Sequence, residues 1–135
     1  DLLEAGALMH ASQAYELDFG LTGVEGARTV YEMLKKFLFD KIFNLKGLYI
    51  VNGNHDRFAA NKKNANPNSS VARLLYFFCK DNMPEDIEIE YERSVLAFKK
   101  DGVGYILTHG DLGLTKSLYI LSMIMDLARK FVTTS

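Results

Sequence analysis

The sequence contains little cysteine, almost no net charge and no long apolar run, and each absence excludes a class of protein. Its one cysteine, Cys79, excludes an internal disulfide and is typical of a reducing compartment, so we expect a cytoplasmic protein. The formal net charge of −1 gives no overall basic field, which argues against non-specific nucleic-acid binding by charge alone. No apolar run reaches the roughly 18 residues of a membrane span, so none is predicted.

The apolar content that is present predicts a single α/β domain over residues 1–135. The sequence is 48% hydrophobic, which is enough for one domain-sized core. Apolar residues recur at spacings of three and four from Ala27 to Leu45, which predicts a helix before Gly47. A second helix is predicted to begin after Ser69 or Ser70 as its N-cap, and a third covers 115–132. Cys79 lies in the second helix among apolar residues, so we interpret it as a small buried hydrophobe rather than a nucleophile.

Four segments alternate or cluster apolar residues in the way that strands do. They are predicted at 48–52, 87–91, 94–98 and 103–108, with the last two joined by a turn over Lys99-Lys100-Asp101-Gly102. Residues 59–70 have almost nothing to bury and are predicted to form an exposed loop. The result is a β-sheet core with flanking helices, in which a helix precedes the strand at 48–52 as in a parallel βαβ unit.

The pairs Lys62-Lys63 and Lys99-Lys100 are interpreted as solvated loop charges.

Two of these strands end in polar side chains that can bind a metal or a phosphate. Leu48-Tyr49-Ile50-Val51 is followed by Asn52-Gly53-Asn54-His55-Asp56, and Tyr105-Ile106-Leu107-Thr108 by His109-Gly110-Asp111. Because ligands of open α/β sheets bind at the carboxyl ends of strands, the two ends predict one polar site, most simply a metal site.

The order of these residues resembles that of the calcineurin-like metallophosphoesterase superfamily. That family has, along the chain, Asp-x-His, Gly-Asp, Gly-Asn-His-Asp/Glu, a lone His and Gly-His-x-His. Gly53-Asn54-His55-Asp56 matches the third motif, His109 the fourth, and Asp1 the second without its glycine. The first motif, which should precede Asp1, and the last, which should follow Ser135, are absent from the 135 residues, so the resemblance implies the central part of a metallophosphoesterase fold. Either these residues are part of a longer protein, or they cannot assemble both metal sites and are inactive alone. The stretch before Gly53 is more similar to the phage and prophage type than to the protein-phosphatase type.

The resemblance implies a hydrolase that uses two divalent ions to activate a shared water. Asp1 would bridge the ions, while Asn54 and His109 would bind the second ion through an amide oxygen and a neutral imidazole nitrogen. Such mixed ligands suit Mn, our first choice, or Fe, Zn or Ni better than Ca. His55 would face the leaving group as general acid. The implied substrate is a phosphate ester, with a phosphodiester or nucleotide favoured over a phosphoprotein.

Residues next to the motifs allow two interpretations each. Asp56 or Glu4 would keep His55 protonated, although Asp56 serves equally well to close the turn. Arg57 either contacts the phosphate of the substrate or, as we favour, faces solvent. Asp111 either supports His109 or caps the final helix, and we favour the cap.

A non-catalytic alternative fits other features of the chain. Helix 115–132 is predicted to be apolar over so wide a surface that something must cover it, either a further strand or a second subunit of a homo-oligomer. A module for binding or assembly that retains an incomplete metal site is therefore the second hypothesis. His10, a lone histidine, is interpreted as a surface or packing residue under either hypothesis.

Overall fold

The computed structural model describes residues 23–42, 44–58, 66, 68–110, 121–122, 124–126 and 128–129. They mix helix and strand, as expected of an α/β protein at this coarse level. The elements are helix α1 (Gly23–Phe37), a 3₁₀ turn (Phe39–Lys41), strand β1 (Gly47–Val51), helix α2 (Val71–Asn82) and strands β2 (Glu88–Glu92), β3 (Val95–Lys100) and β4 (Val103–Thr108).

Strand β1, helix α2 and strand β2 form a parallel βαβ unit. The two strands are in register from Gly47 opposite Glu88 to Val51 opposite Glu92. Helix α2 begins where the sequence predicted, because the Ser70 hydroxyl accepts a hydrogen bond of 3.0 Å from the backbone N–H of Arg73. The Ser70 hydroxyl donates a hydrogen bond of 2.7 Å to Asn52 Oδ1, so the first turn of the helix lies beside the carboxyl end of β1.

Strands β3 and β4 form the predicted antiparallel hairpin. Val95 lies opposite Thr108 and Lys100 opposite Val103, so the turn contains only Asp101 and Gly102. Both have positive φ, 51° and 80°, which is the conformation of a tight turn between twisted strands. The predicted turn was therefore too long, because Lys100 still pairs within the ladder.

The expected sheet core is divided, since the described strands form two two-stranded sheets. Side chains rather than one continuous ladder of hydrogen bonds join them. The Tyr49 ring stacks on Phe98 with 3.8 Å between centroids, and Phe98 stacks on Tyr105 at 5.1 Å. This ladder of three rings fixes the hairpin against β1, and with it the position of the residues after β4.

The core lies between α1, α2 and the β1–β2 sheet. Its buried residues come from all of these elements and from the 3₁₀ turn, with three from α2, and they are Tyr31, Phe39, Ile50, Ala72, Leu75, Cys79 and Ile89. Cys79 is fully buried, and burial raises the pKa of its thiol to about 11. Its predicted role as a small buried hydrophobe is confirmed.

The predicted first helix was too long. The α-helix ends at Phe37, and Leu38 leaves the helical region with φ −122° and ψ −65°. The 3₁₀ turn that follows rotates Phe39 into the core, where it is 8% exposed, while Ile42 of the predicted apolar face is 42% exposed. Asn44, with φ 62°, then reverses the chain toward β1.

The C-terminal residues 121–122, 124–126 and 128–129 are helical, in agreement with the prediction for 115–132, the rest of which lies outside the described residues. Leu121, Ile124 and Met125 are exposed. No helix in the described part of the chain is long and apolar enough to cross a membrane.

Candidate functional site

Asn54 and His109, which follow the ends of β1 and β4, meet in the structure. His109 Nε2 lies 3.2 Å from Asn54 Oδ1, although 55 positions separate the two residues. The strands that carry them belong to different sheets, so the contact depends on how the hairpin packs against β1. The proximity that the sequence predicted for these two side chains is present.

The separation of the two atoms suits one metal ion. Two donors that each lie about 2.2 Å from an ion at a right angle are about 3.1 Å apart. The same distance also suits a direct hydrogen bond, with His109 Nε2–H donating to the amide oxygen. No group of three or more His, Cys, Asp or Glu side chains that could hold a metal occurs within the described residues. Asp1, the third predicted ligand, lies outside them, so the metal role of all three residues stays a prediction.

The loop that carries Asn54 and His55 is fixed at its far end by Asp56. This residue is 3% exposed, and its Oδ2 accepts hydrogen bonds of 3.2 Å from the backbone N–H groups of Gly53 and Ala72. Its carbonyl accepts a third, of 2.8 Å, from Val71 N–H. Burial raises the pKa of the Asp56 carboxyl, and the two N–H donors oppose that rise. Asp56 therefore closes the turn, the second of its two predicted roles, and ties the loop to the start of α2.

The near end of the loop is fixed by Asn52, which the sequence analysis did not assign to the site. Its Oδ1 accepts hydrogen bonds from the Ser70 hydroxyl at 2.7 Å and the Tyr91 hydroxyl at 2.6 Å. Its backbone N–H donates to the Arg93 carbonyl at 3.2 Å. Asn52 thus joins β1, the start of α2 and the end of β2. The signal in the sequence was an amide at the end of an apolar strand, but its two partners are distant in the chain.

Arg57 does not face solvent as an ordinary surface arginine would, and that interpretation was wrong. It is half-buried, its Nη1 donates to the carbonyl oxygen of Asn54, and its backbone pairs with that of Ser70. Its Nε is buried without a hydrogen-bond partner in the described part of the chain. Arg57 therefore helps to fix the loop, because it bonds the backbone of the predicted ligand Asn54. A contact between Arg57 and phosphate stays a prediction.

The predicted loop 59–70 is described only at residue 66 and 68–70. Asn66 and Asn68 are exposed as predicted, but Ser70 is only 3% exposed, so the prediction of an exposed loop was wrong at that position. The Arg57–Ser70 pairing closes the base of the loop beside the end of β1. His55, the predicted general acid, is half-buried at this end of the sheet. Lys99 and Lys100 are exposed as expected, but they belong to β3.

Besides Asp1, five residues with a predicted role lie outside the described part of the chain. They are Glu4, His10, Asp111 and the Lys62-Lys63 pair. Their predicted roles therefore stay predictions.

A cavity of about 430 Å³ lies away from the candidate site. It is lined by the 3₁₀ turn, the end of α2 and the start of β2, with Phe39, Asn82 and Ile87 among its residues. The cavity lies at the amino ends of β1 and β2, whereas Asn54 and His55 follow the carboxyl end of β1, and none of Asn54, His55 and His109 lines it.

Comparison of the chain with protein-family models, with curated proteins and with solved structures finds no match.

Proposed function

We propose that the protein is a metal-dependent phosphoesterase. The observation that carries the proposal is the 3.2 Å approach of His109 Nε2 to Asn54 Oδ1. An imidazole nitrogen and an amide oxygen from two strand ends, at the separation of adjacent ligands of one ion, are the donor types that Mn, Fe, Zn or Ni accepts. The order of the motifs in the sequence predicts the same two residues as metal ligands. The finer fold, the central part of a metallophosphoesterase domain, belongs to the same proposal.

The chemistry needs a nucleophile at neutral pH, compensation of charge on the phosphoryl oxygens and a proton for the leaving group. A pair of divalent ions, when bound, supplies the first two by acidifying water and attracting the phosphoryl oxygens. Asn54, His109 and Asp1 are the residues that would hold the metal ions. His55 follows Asn54 directly on the fixed loop and would donate the proton to the leaving group.

Rigidity of the loop supports this assignment. Asp56, Asn52 and Arg57 bond the loop to α2, β2 and its own backbone. A ligand and a general acid that are held by several such bonds keep the geometry that catalysis requires, because little reorganisation is needed on binding.

Hydrolysis of bis(p-nitrophenyl) phosphate with Mn²⁺ tests the proposal. We expect hydrolysis by the wild type and at least about a hundredfold loss in Asn54→Ala and in His109→Ala. Asn82→Ala is the matched control, since Asn82 lies at the end of α2 remote from the candidate site, and its side chain bonds only the Phe78 carbonyl in the described part of the chain. Absence of hydrolysis with every divalent metal, together with absence of metal uptake, contradicts the proposal.

The role of His55 has its own test. His55→Gln should lower kcat by about 10²-fold or more for a phosphodiester with a poorly leaving alkoxide. The loss should be much smaller for p-nitrophenolate, which needs no proton to leave. An equal loss for both leaving groups would show that His55 does not act as general acid.

A binding or assembly module remains the second candidate. It is favoured by the exposed apolar residues at the C-terminal end, which include Leu121, Ile124 and Met125 of the helical segment and Val103 of β4. This candidate predicts self-association that Leu121→Glu abolishes, measured by sedimentation velocity, without any metal-dependent hydrolysis. Hydrolysis by a purely monomeric protein would exclude it.

A further inference from the structure

Arg73, in the first turn of α2, holds its guanidinium over two aromatic rings. The Cζ atom lies 5.3 Å from the centroid of the Phe77 ring and 5.7 Å from that of Tyr91. Tyr91 is itself stacked on Tyr76, with 5.7 Å between centroids. The rings restrict a planar cation that would otherwise sample many rotamers. Phe77 is 44% exposed, so the cluster also offers an aromatic surface to solvent.

The Arg73 cluster lies beside the candidate site. The Tyr91 hydroxyl donates to Asn52 Oδ1 at 2.6 Å, and Asn52 begins the loop that carries Asn54. The first turn of α2, which contains Arg73, is bonded to the same Asn52 through Ser70. Arg93 is a second cation here, with an exposed side chain and a carbonyl that accepts the N–H of Asn52.

In the described part of the chain, no carboxylate forms an ion pair with Arg73, whereas Arg28 on α1 lies 3.2 Å from Glu32. Glu90 and Glu92 alternate with Tyr91 along β2, so the pleat directs them to the other face of the strand. A cation that has no ion-pair partner among the described residues and is held on aromatic rings beside the proposed phosphoesterase site is suited to a second phosphate of the substrate.

We infer that Arg73, Phe77 and Tyr91 form a subsite for the single-stranded nucleic acid that flanks the scissile phosphodiester. The inference rests on the proposed function and narrows its substrate class to a polynucleotide strand. The guanidinium binds the phosphate of a neighbouring nucleotide, and the exposed Phe77 ring stacks a base. Such recognition tolerates any base and needs no overall basic charge, which agrees with a net charge of −1.

Binding of a fluorescein-labelled oligothymidylate of about eight nucleotides to the protein in EDTA tests the inference. EDTA prevents cleavage, so the result does not depend on the reaction. Fluorescence anisotropy should show about tenfold weaker binding by Arg73→Gln and by Phe77→Leu, which keeps an apolar side chain but removes the ring. Arg28→Gln removes the same charge from α1 and should bind like the wild type.

The salt dependence separates a phosphate contact from a structural role. The logarithm of the association constant for the oligonucleotide falls with the logarithm of the salt concentration. The magnitude of this slope should be smaller by about 0.7 in Arg73→Gln and unchanged in Phe77→Leu. Wild-type protein that does not bind the oligonucleotide, or an Arg73→Gln variant with wild-type affinity and slope, would overturn the inference. Failure of the proposed function is seen separately, in the hydrolysis of bis(p-nitrophenyl) phosphate, which has no base to stack.

Discussion

Removing the two hydroxyl groups that bond Asn52 should destabilise the protein by more than the sum of the single changes. Tyr91→Phe removes one hydrogen bond to Asn52 Oδ1 and keeps the ring in its stack, so it should cost about 1 kcal/mol. Ser70→Ala removes the other bond and also the N-cap of α2. Each of these two losses costs about 1 kcal/mol, which gives about 2 kcal/mol for Ser70→Ala.

The double variant should cost about 4 kcal/mol rather than about 3, because only then does Asn52 Oδ1 lose both of its donors. Leaving a partly buried acceptor without a donor adds about 1 kcal/mol of desolvation. Urea unfolding followed by circular dichroism gives the free energies of unfolding of all four proteins. Tyr76→Phe is the control, since the Tyr76 hydroxyl has no hydrogen-bond partner in the described part of the chain, and it should change stability by less than about 0.5 kcal/mol. Additivity within about 0.3 kcal/mol would refute the shared-acceptor explanation.

Three further predictions concern other positions. Because burial raises the pKa of Asp56 in the folded state, its protonated form is favoured there. The resulting contribution of Asp56 to the free energy of unfolding is fully present below the unfolded pKa of about 3.9 and is lost as the pH rises through the folded pKa. The stability of the wild type relative to Asp56→Asn should therefore decline in urea titrations as the pH rises above about 4, and a constant difference would contradict this. Cys79, buried with a pKa of about 11, should resist iodoacetamide in native protein and react in urea; equal rates would contradict its burial. Gly102→Ala meets no neighbouring atom but must adopt φ 80°, so it should cost about 1 kcal/mol in the same urea assay, and an unchanged midpoint would contradict the turn geometry.

The parts of the fold that local signals determine were predictable from the sequence. Ser70 before an apolar run specifies the start of α2, and alternation over 87–91 specifies a half-exposed strand. Asp101-Gly102 between two apolar runs specifies a hairpin. Each of these signals acts within a few residues, so tertiary packing had little opportunity to override it.

The end of α1 and the division of the sheet were not predictable in the same way. The apolar spacing from Ala27 to Leu45 continues through the place where the chain leaves the helix, because Phe39 is drawn into the core by contacts with distant elements. The stacking of Tyr49 on Phe98 likewise joins strands that no local pattern relates.

The sequence predicted that Asn54 and His109 would lie together, but it did not predict the residues that support them. The order of motifs predicted that Asn54 and His109 would meet, although composition and periodicity contain no information about that distance. The support comes from Tyr91 and Ser70, whose bonds to Asn52 span 39 and 18 positions. Such bonds depend on the register of β2 against β1, which becomes known only with the structure.

The most direct test of the central claim, that Asn54 and His109 bind one metal ion, is nitrogen NMR of the histidine rings during a Zn²⁺ titration. The chain has only three histidines, so the signals are simple to assign. We predict that His109 Nε2 moves to the shift of a metal-bound nitrogen as one ion binds, and that Asn54→Ala weakens this binding at least about tenfold. A His109 Nε2 signal that stays at its metal-free position while Zn²⁺ binds elsewhere, or does not bind, would contradict the claim.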